Sequence, residues 1–372
     1  MRRETYLDWN ATAPLRPEAA AAVASALAAG GNPSSVHAKG RAARRLVECG
    51  RAAVAALADA PADGVVFTSG GTEANHLALR GSGRARVLVS AVEHASVLDA
   101  APEAERIPVD GDGIVDAVAL AALLAAETRP ALVSVMLANN ETGVMQPVRR
   151  LAEIAHAHGA LFHCDAVQAA GKIPLSLAAL GADLLTLSGH KIGGPAGIGA
   201  LVMAPGVAVT PLQHGGGQER NRRAGTENLA GIAGFAAAAE TCDPAAYARV
   251  GELRDRLEAA LPPEAVVIGA GALRLPNTSA IAMPGVPAET QVIALDLDGV
   301  MVSAGAACSS GKVGPSHVLA AMAAAPDIAD ATIRVSLGWS TTEADITHFL
   351  DAWSALSRRT LGRRSRRQAK AA

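Results

Sequence analysis

Ser188-Gly189-His190-Lys191 follows the apolar run Asp183-Leu184-Leu185-Thr186-Leu187 and precedes Ile192-Gly193-Gly194-Pro195. The pattern predicts a buried strand ending in a turn of small residues that presents one amine. An amine held on a rigid turn at the end of a core strand is suited to forming a Schiff base with an aldehyde. A surface lysine on a loop would share this local pattern, so the segment upstream decides between the two. There, Phe162-His163-Cys164-Asp165-Ala166-Val167-Gln168 predicts a second strand, ending in a carboxylate. A carboxylate so placed is what the protonated ring nitrogen of pyridoxal phosphate (PLP) requires. Gln168 is spaced to face the same ligand and to hydrogen-bond the ring's phenolic oxygen.

Other strand ends carry similar signals. Phe67-Thr68-Ser69-Gly70-Gly71-Thr72-Glu73-Ala74-Asn75 reads as strand, glycine turn and helix start. Unpaired N–H groups at a helix N-terminus, with the Thr72 hydroxyl, can bind phosphate, although an ordinary capped helix fits the same residues. No Gly-Lys-Ser/Thr follows, so this is not a P-loop. His94, in Ala91-Val92-Glu93-His94-Ala95-Ser96, could stack on a pyridine ring and move protons, or be structural. Asn139-Asn140-Glu141-Thr142-Gly143 reads equally well as a tight turn or as part of a site. Arg334, inside Thr332-Ile333-Arg334-Val335-Ser336-Leu337, needs a partner: a substrate carboxylate or an internal acid.

Four cysteines are scattered without a Cys-x-x-Cys pair. Cys308, in Ser303-Ala304-Gly305-Ala306-Ala307-Cys308-Ser309-Ser310-Gly311-Lys312, lies among small residues that suit an exposed, reactive thiol. Cys49, Cys164 and Cys242 are expected to be buried and inert. His156, His158, His163 and Cys164 are close in sequence, but helix and strand geometry turns them to different faces, so no metal site is expected.

The elements that position these residues alternate. Short apolar runs at 65–68, 86–89, 131–137, 160–164, 183–187 and 199–203 are interleaved with helical stretches such as 72–80 and 148–158. Such alternation predicts an α/β fold with a mainly parallel sheet between helices. Ligands of open parallel sheets bind beyond the carboxyl ends of the strands, which is where the unusual residues fall. With 372 residues, half of them hydrophobic, the chain can form two domains. A large domain is expected over 15–245, with a smaller α+β domain formed by 1–14 and 246–357. The basic segment 358–372 is expected to be a solvated, disordered tail. A net charge of -2 gives no general reason to expect nucleic acid or an anionic membrane as a partner. The scattered cysteines and the polar start of the chain fit a cytoplasmic protein.

Together these segments resemble the cysteine desulfurases of the NifS/IscS type, in the class V aminotransferase group of fold-type I PLP enzymes. The ordered set runs from Tyr6-Leu7-Asp8-Trp9-Asn10 through Gly-Gly-Thr-Glu-Ala-Asn, Glu-His, Asn-Asn-Glu-Thr-Gly, Asp-Ala-Val-Gln, Ser-Gly-His-Lys, Arg-Ala-Gly-Thr-Glu-Asn and Cys-Ser-Ser-Gly to Arg334. The resemblance implies that Lys191 carries PLP, that His94 stacks on its ring and that Asp165 and Gln168 hold the ring nitrogen and phenolic oxygen. It implies that Gly71, Thr72, Ser188 and His190 hold the phosphate, with Thr226 reaching the phosphate of a neighbouring subunit in a homodimer. Asn140 and Arg334 would take the carboxylate of L-cysteine. Cys308 would attack its sulfur and keep it as a persulfide, releasing L-alanine, before transfer to an acceptor such as an iron–sulfur scaffold protein.

Trp9 and Ala13 replace the family's usual Asn and Thr and are expected near the substrate mouth. Ser188-x-x-Lys191 also matches a serine acyl-enzyme signature, but its Ser-Asp-Asn and Lys-Thr-Gly partners do not occur in the chain. The same fold hosts selenocysteine lyases and transaminases, of which a transaminase has no use for Cys308. A PLP-binding partner without catalysis is opposed by the apparently complete catalytic set.

Overall fold

The computed structural model describes residues 3–305 and 316–371, with residues 360–371 as backbone alone. Its strands in chain order are β1 (Thr5–Tyr6), β2 (Val65–Thr68), β3 (Arg86–Ser90), β4 (Glu105–Ile107), β5 (Ala131–Ser134), β6 (Leu161–Asp165) and β7 (Leu184–Ser188). They continue with β8 (Gly199–Met203), β9 (Val266–Val267), β10 (Thr278–Ala282), β11 (Val300–Met301), β12 (Ser303–Ala304) and β13 (Thr332–Ser336).

Among the described residues, seven strands form the main sheet in the order β2-β8-β7-β6-β5-β3-β4. Strands β7, β6, β5, β3 and β4 are parallel, while β8 runs antiparallel to both β7 and β2. This is the α/β fold with a mainly parallel sheet that the sequence predicts. The central strands are mostly apolar because both faces are covered. Leu88, Val133 and Leu185 join one core cluster with Val47, Val54, Ile232 and Phe235. Their sequence neighbours Val89, Leu132 and Leu184 turn to the opposite face and pack with Ala74, Leu77 and Ala78 of the helix Gly71–Gly81. This alternation is the period of two expected of a strand.

Two details differ from the sequence reading. The run 131–137 leaves the strand at Ser134, but Val135 and Leu137 still donate to the carbonyls of His163 and Asp165, at 3.0 and 2.9 Å. The edge strand β4 has no apolar run to announce it: Glu105-Arg106-Ile107 takes its place through pairing with β3.

A second sheet, β12-β13-β10-β9, and the parallel pair β1-β11 lie on a separate core. Leu7 of the N-terminal segment packs there with Val250, Leu257, Ile281, Val335 and Trp353. The helix Glu343–Ala371 covers this core with Ile346, Phe349, Trp353 and Leu356, spaced to share one helical face. Full burial of each such side chain contributes about 1.5–3 kcal/mol. The basic segment from Arg358, expected as a tail, continues the backbone of this helix to Ala371. It holds no proline and is rich in Arg, Lys, Gln and Ala, all good helix formers. Among the described residues, no helix is long and apolar enough to cross a membrane.

Candidate active site

The turns that follow β2, β3, β5, β6 and β7 meet at one edge of the sheet. They enclose a cavity of about 360 Å³ lined by Gly71, Thr72, His94, Asn140, Asp165, Gln168, Ser188, His190 and Lys191, with Asn75, Ser96 and Ala11 among the others. Nine of the sequence-predicted site residues therefore share one space. Arg334 and Thr226 do not line it, and Cys308 lies outside the described residues.

Lys191 ends the short 3-10 turn Gly189–Lys191 after β7. Its Nζ donates to the carbonyls of Asn10 at 2.5 Å and Ala11 at 2.8 Å. Asp165, the last residue of β6, is buried and oriented at both oxygens. Oδ1 accepts from the Val167 amide at 2.9 Å, and Oδ2 accepts from Asn75 Nδ2 at 2.8 Å. The same Asn75 nitrogen donates to Ser96 Oγ at 2.9 Å, and that hydroxyl lies 2.8 Å from His94 Nδ1. A continuous chain of polar contacts thus joins the carboxylate to the imidazole. His94 Nδ1 also accepts from the Ser96 amide at 3.1 Å, which leaves Nε2 as the protonated nitrogen of the neutral ring. Asn75 and Ser96 received no role from the sequence. Asn75 is the last residue of the Gly-Gly-Thr-Glu-Ala-Asn motif, and a buried polar residue one turn into a helix is the signal that marks it.

The other end of the cavity is built for an anion. The helix Gly71–Gly81 begins at Gly70, which has no side chain to satisfy the first N–H groups. A Cβ on Gly71 would stand 3.0 Å from Val167 Cγ2 and 3.5 Å from Ser188 Cβ, so glycine keeps this end open. Thr72, Ser188 and His190 add donors around it. Burial, and then the Lys191 charge, push the His190 imidazole down to about 4, so the ring is neutral near pH 7. An anion cradle, an amine and a buried carboxylate in one cavity fit the phosphate, aldehyde and ring nitrogen of PLP. Among the described residues, no cluster of His, Cys, Asp and Glu is arranged to hold a metal ion.

Within Asn139-Asn140-Glu141-Thr142-Gly143 the roles divide. Asn139 builds the turn, its Oδ1 accepting from the Glu141 and Thr142 amides at 2.9 and 3.0 Å, while Asn140 lines the cavity. Glu141 lies near both residues that flank 306–315. Its Oε2 accepts from Ser316 Oγ at 2.6 Å, and a Cβ on Gly305 would lie 2.8 Å from the same oxygen. Arg334 is fully buried; it donates to Asp8 Oδ1 at 2.7 Å and to the Asn140 carbonyl at 3.1 Å. The internal acid that a strand-buried arginine requires is therefore Asp8.

Among the remaining cysteines, Cys164 is buried and Cys242 partly so. Burial raises the Cys164 thiol well above its ordinary range and pushes Cys242 up to about 11, which makes both poor nucleophiles. Cys49 differs from expectation in being exposed.

Trp9 and Ala13 do not face the cavity. Trp9 is buried edge-on against Trp339, with ring centroids 4.6 Å apart and planes at 74°. Its Nε1 donates to the Tyr6 carbonyl at 3.1 Å. Aromatic packing with a satisfied indole N–H accounts for this position. Ala13 is buried, with its amide bonded to the His190 carbonyl at 2.9 Å.

Thr226 is exposed, on a segment pinned at two points. Arg223 pairs with Glu73 at 2.8 Å, and Glu219 forms a two-pronged pair with Arg51 at 2.7 and 3.0 Å.

The sequence profile of the class-V aminotransferases matches residues 5–349. The chain belongs to the class-V aminotransferase family. It is 47% identical over 364 residues to a cysteine desulfurase of Cereibacter sphaeroides, covering 93% of this chain and 94% of the relative. It is 41% identical to cysteine desulfurase IscS of Dictyoglomus turgidum, covering 94% of each. Among solved structures, a NifS-like protein of Rickettsia africae superimposes with a TM-score of 0.88 at 36% identity, covering 95% of this chain and 99% of the other. PLP is the cofactor of this family, and the cavity offers a lysine after one strand, an aspartate at the end of its neighbour and a glycine-opened helix opposite.

Proposed function

We propose that this chain is a PLP-dependent cysteine desulfurase that releases L-alanine from L-cysteine and takes the sulfur as a persulfide on Cys308. The observation that carries the reading is the position of Glu141, which follows Asn140 of the cavity wall. Ser316, which ends the segment 306–315, donates to its carboxylate at 2.6 Å, and Gly305, which begins it, lies close enough that a Cβ there would crowd the same oxygen. The segment whose sequence setting suits a reactive cysteine therefore leaves and re-enters the described chain near the cavity whose donors suit PLP.

Lys191 holds the aldehyde carbon, Asp165 the ring nitrogen and Gln168 the phenolic oxygen. Gly71, Thr72, Ser188 and His190 hold the phosphate. When bound, PLP would supply an aldehyde for the substrate amine and an electron sink for the density at its Cα. Asp165, fixed by Asn75 and the Val167 amide, keeps the ring nitrogen protonated, which such a sink requires. Lys191, released by the substrate amine, accepts the Cα proton. His94, with Nδ1 committed to Ser96, has Nε2 for proton exchange with the substrate and the Cys308 thiol. The Cys308 thiolate attacks the substrate sulfur, the Cβ–S bond breaks, and a proton completes alanine. Atoms balance: cysteine and a thiol become alanine and a persulfide, with no outside oxidant. Asn140 takes the substrate carboxylate at the cavity wall, and Arg334, behind Asn140 and tied to Asp8, joins it through Nε, which is buried without a partner among the described residues.

Thr226, exposed and away from its own chain's cavity, serves the phosphate of a second copy in a homodimer. The persulfide passes to an acceptor protein, such as an iron–sulfur scaffold, in the cytoplasm. The test is product analysis with L-cysteine and a thiol reductant. Equal yields of alanine and sulfide from the PLP-loaded protein, lost in Cys308→Ala, are expected. Full turnover in Cys308→Ala would overturn the assignment.

A further inference from the structure

Two amines meet at Asn10. Lys191 Nζ donates to its carbonyl at 2.5 Å, and Lys172 Nζ donates to its side-chain Oδ1 at 3.1 Å. Lys172 is 3% exposed, and its second acceptor is Gln168 Oε1 at 3.0 Å. The opposite end of that amide, Gln168 Nε2, donates to the Asn10 carbonyl at 3.0 Å. Asn10 is itself immobilised: its Nδ2 donates to Thr278 Oγ1 at 2.9 Å and to the Asn140 carbonyl at 3.2 Å, and its Oδ1 also accepts from Asn277 at 3.0 Å.

An amide side chain can sit either way round, and its partners decide which end is oxygen. A flipped Gln168 would set oxygen against the carbonyl oxygen of Asn10 and its NH2 against the N–H groups of Lys172. Both contacts would be lost. Gln168 lines the cavity, and its Nε2 has a second N–H beyond the one given to Asn10.

We propose that Lys172 is a positioning residue that locks the Gln168 amide, so that an N–H donor faces the phenolic oxygen of bound PLP. This rests on the role of Gln168 given above. Burial lowers the Lys172 ammonium well below its ordinary range, and the charges of Lys191 and Arg334 act in the same direction. In either protonation state the amine has N–H groups for its two acceptors.

The experiment is a pH titration of the visible absorption band of bound PLP in the holoenzyme, without substrate. A phenolic oxygen that loses a donor becomes a better acceptor. The proton it shares with the Lys191 nitrogen is then held to higher pH. Lys172→Met, which fills most of the same space without an N–H donor, is expected to raise the midpoint by about 0.5–1 pH unit. Gln168→Leu should raise it similarly, and the double variant no further than Gln168→Leu alone. Lys172→Gln, with an N–H donor on a shorter arm, should fall between wild type and Lys172→Met. It carries the same comparison if the methionine variant does not retain PLP.

A shift in Gln168→Leu with none in the Lys172 variants would overturn the positioning role and leave the role of Gln168 standing. Shifts that add in the double variant would also overturn it, because Lys172 would then act by charge and not through Gln168. No shift in Gln168→Leu would remove the reading on which the inference rests.

Discussion

Removing the Arg51 guanidinium should destabilise the protein more than removing the whole ion pair it belongs to. Arg51 and Glu219 have side chains only 3% and 2% exposed. Glu219 also accepts from the Phe67 amide at 2.9 Å, and Arg51 donates to the Val65 carbonyl at 2.7 Å. Burial alone works against the guanidinium charge, but hydrogen bonds and charge from Glu219, with help from Glu48, hold its pKa above the ordinary value. The pair also secures a strained turn, in which Glu219, Arg220 and Asn221 have φ of 46°, 58° and 64°. Left-handed backbone costs a residue with a Cβ roughly 1–2 kcal/mol.

Arg51→Met leaves a carboxylate buried with one amide donor, a loss of about 3–5 kcal/mol. Unfolding entropy scales to about 0.8 kcal/mol/K for a chain of this length, so the melting temperature should fall by about 4–6 °C. In Arg51→Met/Glu219→Met no charge is stranded; beyond the donor to the Val65 carbonyl, which both variants lose, the main loss is the acceptor of the Phe67 amide, about 1–3 kcal/mol. The double variant should therefore melt above the single one. Differential scanning calorimetry of the PLP-loaded proteins at one concentration makes the comparison. A double variant as unstable as Arg51→Met, or more so, would refute the reasoning, because the pair's attraction and not the stranded charge would then dominate.

Gly338→Ala should cost about 1–3 kcal/mol, or prevent folding, because its Cβ would come within 2.0 Å of the Trp9 indole; wild-type urea stability in this variant would contradict that packing. His163, buried between Ser134 and Thr186 Oγ1, is pushed down to about 3 by burial. Between pH 6.5 and 3 the unfolded chain binds a proton there that the folded chain does not. The contribution of His163 is thus complete above pH 6.5 and is lost on acidification at about 1.4 kcal/mol per pH unit. Urea midpoints from pH 7 to 5 should fall less steeply in His163→Gln than in wild type, and equal slopes would refute the assignment.

What could be read from the sequence was local. A strand followed by a turn declares itself within a dozen residues, and the parallel sheet then brings such turns to one edge. That is why Lys191, Asp165, Gln168, His94 and the Gly71 turn were legible together, although far apart in the chain. What was not legible depends on partners fixed by tertiary packing. Lys172 looks like a loop lysine until Asn10 and Gln168 are beside it. Arg51 and Glu219 sit on a helix and a glycine-rich segment with nothing local to couple them. The Asp8–Arg334 pair joins the two ends of the chain. Trp9 was expected at the substrate mouth because it stands where the family it resembles usually has Asn, but the large ring packs against Trp339 instead. Asn75 and Ser96 were hidden because each also serves as an ordinary early-helix residue.

The most direct test of the central claim is a single turnover of PLP-loaded protein with L-cysteine and no reductant, read by alanine yield and by peptide mass. About one alanine per active subunit, with one added sulfur atom on the Cys308 peptide and none in Lys191→Ala, is the expected result. Alanine formed with free sulfide and an unmodified Cys308 would contradict it.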